Sequence, residues 1–273
     1  MSQGSTVPQP TVLVTGASTG IGAVYADRFA KRGHDLVLVA RDRAKLEALA
    51  LRLRQETGVN IDILQADLTS TSDLTKVEKL LRDDDRIGIL VNNAGATLPG
   101  TFIDQSTEAT ANLIGLNTIA VTRLAGAVAP RFVKAGQGSI VNIASVVGLA
   151  PEFGSTVYGA TKAFVLFLSQ GLNVELGPKG VYVQAVLPAA TRTDIWAKSG
   201  RDVNAIPGMM EVDELVDAAL VGFDRRETVT IPPLPDHAQW ETFDGARKAM
   251  LAGFGNEHAG ARYQAKPRAL QPA

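Results

Sequence analysis

The sequence of 273 residues predicts an α/β fold in which a parallel sheet of about seven strands carries helices on both faces. Two patterns predict it. Short runs that are apolar throughout alternate with longer segments of helical periodicity, and strands of that kind are buried on both faces, as in parallel sheets. No repeat and no linker-like stretch divides the first 231 residues, so we expect one main domain there.

The predicted strands are apolar and bounded by glycine or polar residues. They cover residues 11–15, 35–40, 60–65, 87–91, 138–143, 180–187 and 227–231. The predicted helices combine strong helix formers with apolar periodicity. They cover residues 20–31, 42–56, 72–82, 107–134, 156–176, 211–223 and 239–250.

The two ends of the chain differ in composition from the rest. The first ten residues are polar, and the residues from 253 onward are rich in glycine, alanine and proline. Pro232 to Pro235 marks a break before the last helix. We therefore expect a disordered tail over residues 1–10, the main domain over 11–251 and an irregular extension over 252–273.

Composition narrows the class of protein. Hydrophobic residues make up 45% and charged residues 20%, and the formal net charge of −1 lacks the basic excess of a nucleic-acid surface. There are no cysteines, and the three histidines have no metal-ligand spacing. The start lacks the apolar core of a signal peptide, and no apolar run approaches the length of a membrane span. We expect a cytoplasmic protein with no metal, nucleic-acid or membrane partner.

Tyr158 and Lys162 occupy positions i and i+4 of a predicted helix, and Ser145 precedes that helix. The spacing places the phenol and the ammonium on one face. A nearby positive charge favours the phenolate and lowers the tyrosine pKa, and a serine hydroxyl can polarise a carbonyl oxygen beside it. On its own, however, the spacing is more often that of a packed tyrosine with a solvated lysine.

A glycine-rich loop joins the first strand to the first helix. Gly16, Gly20 and Gly22 allow a tight turn and a close approach of backbone to phosphate. The following helix N-terminus supplies free N–H groups and the positive end of its dipole. The loop follows the first strand of an alternating α/β chain, which favours dinucleotide binding over an ordinary strand–helix turn.

These motifs, taken with the segment Asn92-Asn93-Ala94-Gly95, resemble the short-chain dehydrogenase/reductase family in order and spacing. The resemblance extends from about Thr11 to Thr193. It implies a Rossmann-like, doubly wound sheet. It also implies an oxidoreductase that moves a hydride between a nicotinamide cofactor and a carbonyl or alcohol group.

The resemblance assigns four catalytic roles. Tyr158 is the general acid in reduction and the base in oxidation, and Lys162 lowers its pKa and binds the nicotinamide ribose. Ser145 hydrogen-bonds the substrate oxygen. Asn117 matches an asparagine that holds a water in a proton relay from Lys162, although a satisfied amide in the core is an alternative for an asparagine within a helix.

The resemblance also assigns residues that hold the cofactor through the glycine loop, the adenine edge, the ribose and the carboxamide. Asn92 is expected to tie strands together, and Ala189 departs from the usual glycine after Pro188. The cofactor-binding residues implied are Gly16, Ser18, Thr19, Gly20, Ile21, Gly22, Arg41, Asp67, Leu68, Asn93, Ala94, Gly95, Tyr158, Lys162, Pro188, Thr191 and Thr193.

Cofactor choice depends on the end of the second strand. An acidic residue there would bind the ribose 2′-hydroxyl, but the chain has Ala40 followed by Arg41. A guanidinium suits a phosphate dianion, and Arg43 could assist it. We therefore expect NADP(H). Arg41 as a solvated surface charge, and NAD-dependent oxidation of an alcohol, are the alternatives.

Three segments are expected to border the substrate, at residues 96–102, 146–153 and 195–210. Their side chains are mostly apolar and include no cluster of basic residues, so a neutral ketone or aldehyde, or its alcohol, is the expected substrate. A non-catalytic dinucleotide sensor on the same fold is a competing hypothesis. The candidates are Leu98, Val147, Leu149, Phe153, Ile195, Trp196, Met209 and Met210, of which Val147, Phe153 and Trp196 join Ser145 and Tyr158 in the predicted substrate site.

The helices around Asn117 and Phe164 match those that form subunit interfaces in this family. Phe164, Phe167 and Leu168 crowd one stretch of the second of these helices, which favours an interface over a solvated face. We expect a homo-oligomer, either a homotetramer or a dimer.

Overall fold

A seven-stranded parallel sheet forms the centre of the computed structural model, which describes residues 9–193, 196, 206 and 208–263. The order of its strands is β3-β2-β1-β4-β5-β6-β7. The sheet confirms the predicted fold class. The strands are β1 Thr11–Thr15, β2 Leu36–Ala40, β3 Ile61–Gln65, β4 Ile87–Asn92, β5 Gly138–Ile143, β6 Val181–Val186 and β7 Val229–Thr230.

Helices cover both faces of this sheet, and a π-helical segment at Gly115–Ala120 separates two of them. The helices of this part are α1 Gly20–Lys31, α2 Arg43–Thr57, α3 Thr71–Asp83, α4 Thr107–Ile114, α5 Val121–Ala135, α6 Thr156–Leu176 and α7 Val212–Asp224. Nearer the end of the chain is α8, Ala238–Ala249.

The alternation of side chains along each strand feeds two separate cores. On one face, Val12 and Val14 of β1 pack in a cluster with residues of α1, α2 and α7, including Phe29. On the other face, Leu13 packs in a cluster with residues of α3 and α5, including Phe132. Burial on both faces explains why the central residues of β1 and all of β2 are apolar.

Strand order reverses its direction between β1 and β4. From β1 the chain builds outward through β2 and β3, and it then returns to pair β4 against the other side of β1. In open α/β sheets, ligands bind outside the carboxyl ends of the strands at such a switch point. The topology therefore fixes where a site should lie.

Two predicted elements differ from the observed ones. The last strand is reduced to Val229–Thr230, because it pairs only with the end of β6 at the edge of the sheet. The long helix predicted over residues 107–134 is interrupted by the π-helical segment. Asn117 lies in this segment and bonds to the loop after β4, which satisfies its amide outside the helix.

Within the described residues, one helical run, Thr107–Ala135, is long and apolar enough to cross a membrane. The sequence interpretation that no run approaches that length is therefore wrong. Half of its most apolar stretch is buried inside the protein. The core helix of a globular domain shows the same burial, so the run is weak evidence for a membrane span.

The chain divides into two compact units between Pro233 and Leu234. The second unit contains α8 and two short 3-10 turns, Met250–Gly253 and Ala261–Tyr263. The division falls in the proline-rich break at residues 232–235, and not after residue 251, because α8 belongs to the second unit.

Candidate active site

A cleft with a volume of about 1120 Å³ lies at the carboxyl ends of the strands, where the topology places it. Ligand pockets usually measure roughly 300–1,000 Å³, so this cleft is large enough to suggest more than one small molecule. Arg41 and Asp67, after β2 and β3, line it, and so do Ser145 and Pro188, after β5 and β6. The cleft therefore extends across most of the sheet.

The glycine loop forms the floor of the cleft between β1 and α1. Gly16 and Gly20 have positive φ angles of 65° and 57°, a region that glycine adopts without strain. No side chain caps the N-terminus of α1, so its first N–H groups are free to bind an anion. Gly16, Ser18, Thr19, Gly20 and Ile21 line the cleft as predicted.

Gly22 has a packing role and does not line the cleft. A Cβ atom at this position would lie 2.4 Å from both Asn93 Nδ2 and the Gly16 carbonyl oxygen. Glycine is therefore required for the close contact between α1 and the loop, while the other predicted loop residues face the ligand space.

The segment after β4 is fastened to the glycine loop. Asn93 Nδ2 donates to the Thr15 carbonyl at 2.9 Å, and the Asn93 and Ala94 amides both donate to Thr15 Oγ1 at 3.0 Å. Asn92 Nδ2 donates to Asn142 Oδ1 at 3.0 Å and ties β4 to β5, as expected. Asn93, Ala94 and Gly95 line the cleft with their positions fixed by these bonds.

Charged side chains gather at the β2–β3 end of the cleft. Arg41 is 70% exposed, and its guanidinium lies 3.9 Å from the Asp67 carboxylate. Lys45, on the first turn of α2, lines the same end and is a cation that the sequence analysis missed, although its place just after β2 could have revealed it. Arg43 does not line the cleft and instead bonds Glu47 at 2.7 Å, so the structure gives it no part in this end.

Ser145, Tyr158 and Lys162 meet at the opposite end. Ser145 Oγ donates to the Pro188 carbonyl at 3.2 Å and accepts from the Val147 amide at 3.2 Å. Lys162 Nζ donates to the Ile143 carbonyl at 2.8 Å and lies 5.7 Å from the centre of the Tyr158 ring. The i,i+4 pair on α6 therefore faces the serine after β5, as the motif predicts.

Two glycines allow this close approach of α6 to the segment after β5. A Cβ atom at Gly148 would lie 2.6 Å from the Ala163 amide nitrogen. A Cβ atom at Gly159 would lie 3.1 Å from the Val147 carbonyl oxygen. The absence of side chains at both contacts keeps the serine and the tyrosine within reach of each other.

Burial shifts both titratable groups. It raises the pKa of Tyr158 to about 12, which a hydrogen bond with Ser145 partly opposes. It lowers the pKa of Lys162 to about 8. The pKa of Tyr158 is therefore raised overall, opposite to the net direction predicted from the sequence, because removal of the phenolate from water is the largest effect.

The loop after β6 closes over the glycine loop. Thr191 Oγ1 donates to the Ala189 carbonyl at 3.1 Å, and Trp196 Nε1 donates to the Thr191 carbonyl at 2.6 Å. A Cβ atom at Gly20 would lie 3.4 Å from the Thr193 methyl group. The other predicted cofactor residues here and after β3, namely Leu68, Pro188, Thr191 and Thr193, line the cleft.

The substrate candidates divide into three groups. Leu98, Val147, Phe153 and Trp196 line the cleft, whereas Leu149, Met209 and Met210 do not. Met210 instead pairs with the loop after β6, since its amide donates to the Ala190 carbonyl at 2.9 Å. Ile195 lies outside the described residues.

The sequence analysis missed a second wall of the cleft. Helical spacing along α4 and into the π segment could have revealed part of it, since four of its residues fall at i, i+3, i+4 and i+7 on one face ahead of Asn117. Those four are Ala109, Asn112, Leu113 and Leu116, and Gln105 and Ser155 also line the cleft outside the three predicted segments. Ile206 lines it from within the predicted segment 195–210.

Charge is distributed unevenly along the cleft. Among its described lining residues, the charged ones are Arg41, Asp42, Lys45 and Asp67 at the β2–β3 end, and Lys162 beside Tyr158. No group of three His, Cys, Asp or Glu residues able to hold a metal occurs in the part of the chain that the structure describes. The wall beyond Lys162 therefore suits an uncharged ligand.

Comparison with known proteins gives consistent similarities. A family model described as short chain dehydrogenase matches residues 10–204. A solved short-chain dehydrogenase from Sphingobium yanoikuyae in complex with NADPH is 66% identical, with a TM-score of 0.92 over 94% of this chain and 100% of that one. A bulky-bulky ketone specific alcohol dehydrogenase from Comamonas testosteroni is 59% identical, with a TM-score of 0.88 over 94% of this chain and 99% of that one.

Curated relatives are more distant. The very-long-chain 3-oxoacyl-CoA reductase of Homo sapiens is 35% identical over 187 residues, which is 67% of this chain and 60% of that protein. The chain thus spans about 60% of the length of the curated relatives that it matches first.

Proposed function

The chain belongs to the short-chain dehydrogenase family, and from that premise we propose that it transfers a hydride between NADP(H) and a neutral, largely apolar ketone or aldehyde, or the matching alcohol. One observation carries the proposal. Ser145, Tyr158 and Lys162 meet beside an uncharged wall, in a cleft whose other end holds Arg41 and Lys45. The first end suits a carbonyl group and the second suits a phosphate.

The residues present fit a phosphorylated nicotinamide dinucleotide. The glycine loop and the uncapped N-terminus of α1 would receive the pyrophosphate, and Arg41 with Lys45 would face the 2′-phosphate. Asp67 and Leu68 border the place for the adenine, and Lys162 with Thr191 borders the place for the nicotinamide end. When bound, the cofactor supplies the hydride.

Tyr158 is the residue that donates the proton in the reduction. Its raised pKa of about 12 keeps the phenol protonated at neutral pH, which is the form that can donate. As the carbonyl carbon gains a hydride, the oxygen becomes basic and takes the Tyr158 proton, so a ketone becomes a neutral secondary alcohol. Ser145 would hold that oxygen by a hydrogen bond, and Lys162 would stabilise the phenolate left behind.

We expect Arg41→Ala to raise the KM for NADPH by roughly 10- to 100-fold, because hydrogen bonds to charged groups contribute about 1.5–3 kcal/mol. The KM for NADH should change little, since NADH carries no 2′-phosphate for the guanidinium to bind. Steady-state kinetics with both cofactors measures the two values. Arg43→Ala is the matched control, because that arginine bonds Glu47 and lies outside the cleft. An unchanged KM for NADPH in Arg41→Ala would overturn this assignment.

The size of the substrate is proposed from the cleft and from the similar proteins together. The cleft has apolar residues on two sides, from α4 and from the segment after β5. The similar protein of Comamonas testosteroni is named for ketones that are bulky on both sides of the carbonyl. We therefore favour a ketone with two large, uncharged substituents.

A 3-oxoacyl-CoA thioester is the second candidate, because curated relatives are named for its reduction. That substrate carries several phosphate charges. Among the described residues of the cleft wall beyond Lys162, no arginine or lysine is present to meet them. The observed wall thus favours the neutral ketone.

A substrate panel separates these possibilities. Wild-type protein is mixed with NADPH or NADH and with small ketones, ketones bearing two aromatic or long alkyl groups, aldehydes or 3-oxoacyl-CoA thioesters, and loss of reduced nicotinamide is followed by absorbance. The highest kcat/KM is expected for bulky ketones with NADPH. A preference for the thioester would replace the ketone assignment, and binding of NADPH without turnover of any compound would favour the dinucleotide sensor.

Self-association is proposed from the exposed apolar face of α6. Phe167 and Val174 are 74% and 78% exposed, and Phe164 joins them on one side of the helix. Phe167→Glu should therefore lower the mass measured by light scattering, from that of an oligomer toward that of a single chain. Phe102→Glu is the control, since Phe102 is comparably exposed on a 3-10 turn. A wild-type mass equal to one chain would contradict the proposal.

A further inference from the structure

Thr161 lies between Tyr158 and Lys162 on α6, and its hydroxyl bonds both the Tyr158 backbone and the Asn117 side chain. It is 3% exposed. Its Oγ1 donates to the Tyr158 carbonyl at 2.7 Å and accepts from Asn117 Nδ2 at 3.0 Å. A hydroxyl has one proton to donate and lone pairs to accept with, so both bonds form together.

The other side of Asn117 is bonded to the loop after β4. Asn117 Oδ1 accepts from the Ala96 amide at 3.0 Å, and Asn117 Nδ2 donates its second proton to the Ala96 carbonyl at 3.0 Å. Both protons of the side-chain amide are therefore used within the protein. A water in the predicted relay could therefore donate a hydrogen bond to an oxygen atom of Asn117, but it could not accept one from the Nδ2 amino group.

The loop held by Asn117 is the one that borders Lys162. A Cβ atom at Gly95 would lie 3.3 Å from Asn117 Oδ1 and 3.4 Å from Lys162 Nζ. The asparagine, the lysine and the loop therefore converge on one point. Two bonds to Ala96 fix the asparagine to the loop, and within the described residues the bond to Thr161 is the hydrogen bond that links its side chain to α6.

We propose that Thr161 is a positioning residue, whose hydroxyl, acting through Asn117, sets the distance between α6 and the loop at residues 93–96 that lines the cofactor cleft. The inference rests on the proposed function. A displacement of α6 would move Tyr158 and Lys162 together against the ligand space, and a misplacement of about 1 Å can cost roughly 100-fold in rate.

The test compares Thr161→Val with Thr161→Ser in the full-length protein. Valine keeps the shape of threonine and removes the hydroxyl, which also leaves an Asn117 donor buried without a partner. Serine keeps the hydroxyl and removes the methyl group. We expect Thr161→Val to lower kcat for reduction of a ketone by about 10- to 100-fold, and Thr161→Ser to remain within about threefold of wild type.

Three measurements separate positioning from a general loss of structure. Titration of NADPH by its fluorescence gives the fraction of folded, binding-competent protein, so that kcat refers to active molecules. Thr118→Val is the matched control, because Thr118 is also buried and its hydroxyl donates to the Ile114 carbonyl of its own helical run. Adding Thr161→Val to Asn117→Ala should slow that variant little further, since the Thr161 hydroxyl acts on the loop through Asn117.

The outcomes are distinct. Equal kcat per binding-competent molecule in Thr161→Val and wild type would overturn the inference, and so would a valine variant no worse than Thr118→Val or a serine variant as slow as valine. Failure of wild-type protein to reduce any ketone would instead count against the proposed function, because the loss would precede any change at Thr161.

Discussion

Replacement of Tyr158 by phenylalanine will lower turnover by roughly 100- to 10,000-fold, the usual contribution of a general acid, and will leave NADPH binding nearly unchanged. The ring remains to fill its place on α6, so the loss is confined to one oxygen atom. With a pKa of about 12, the phenol is protonated at neutral pH and ready to donate as the carbonyl oxygen gains charge. Among the described residues, Tyr158 is the hydroxyl group that lies next to Lys162 and also bonds Ser145, so no neighbouring hydroxyl can replace it as the donor.

Measurement of kcat with a ketone, and of the NADPH dissociation constant by fluorescence, tests this expectation. Tyr25→Phe is the matched control, since Tyr25 is a fully buried tyrosine whose hydroxyl has no hydrogen-bond partner in the described part of the protein. That control should keep its turnover. Near wild-type kcat in Tyr158→Phe would exclude the proposed proton donor.

Replacement of Lys162 by methionine will also remove most turnover, and it will make the folded protein more stable at neutral pH. Lys162 is 5% exposed, and burial lowers its pKa from 10.5 to about 8. A lowering of this size corresponds to about 3 kcal/mol. Part of the gain is offset by loss of the bond to the Ile143 carbonyl, about 1 kcal/mol. The expected net change in the free energy of unfolding at pH 7 is roughly 2 kcal/mol.

The sign of the pH dependence follows from proton binding. Below pH 8 the ammonium is protonated in both states, and the folded protein bears the full cost of its burial. Between pH 8 and 10.5 the folded state releases the proton before the unfolded state does, so wild-type stability rises with pH relative to the variant. Above that range the cost is gone.

Denaturant titrations of both proteins from pH 7 to 10 measure this convergence, with Lys134→Met as the control at an exposed lysine on α5. A stability difference that stays constant across this range would show that burial does not perturb the lysine. Together the two effects would identify Lys162 as a residue kept at the expense of stability, as is common where activity needs a buried charge.

The order of strands and helices could be predicted from the sequence because it depends on local pattern. Leu36 to Ala40 is apolar throughout and fully buried, as expected of a strand covered on both faces. The two-residue edge strand β7 could not be predicted in the same way. Its length depends on where β6 stops pairing, which is a property of the assembled sheet.

Site residues close in sequence were also predictable. Tyr158 and Lys162 are one helical turn apart, and Ser145 precedes their helix within a familiar motif. The bond between Asn117 and Thr161 was not predictable, because it joins residues 44 positions apart through a π-helical segment. The direction of the Tyr158 pKa shift was mispredicted for a related reason, since desolvation depends on all the neighbours that folding assembles.

The π-helical segment Gly115–Ala120 changes the phase of the helical run in which it lies. Leu113 and Leu124 are about three turns apart and would share one face of an uninterrupted α-helix. Here Leu113 faces the cleft, whereas Leu124 packs in the core under the sheet. The wider turns rotate one half of the run against the other. Substitutions on α4 can therefore change the shape of the ligand space while the core-facing side of α5 stays the same. One helical run can thus acquire a different ligand specificity without loss of the packing that stabilises the fold.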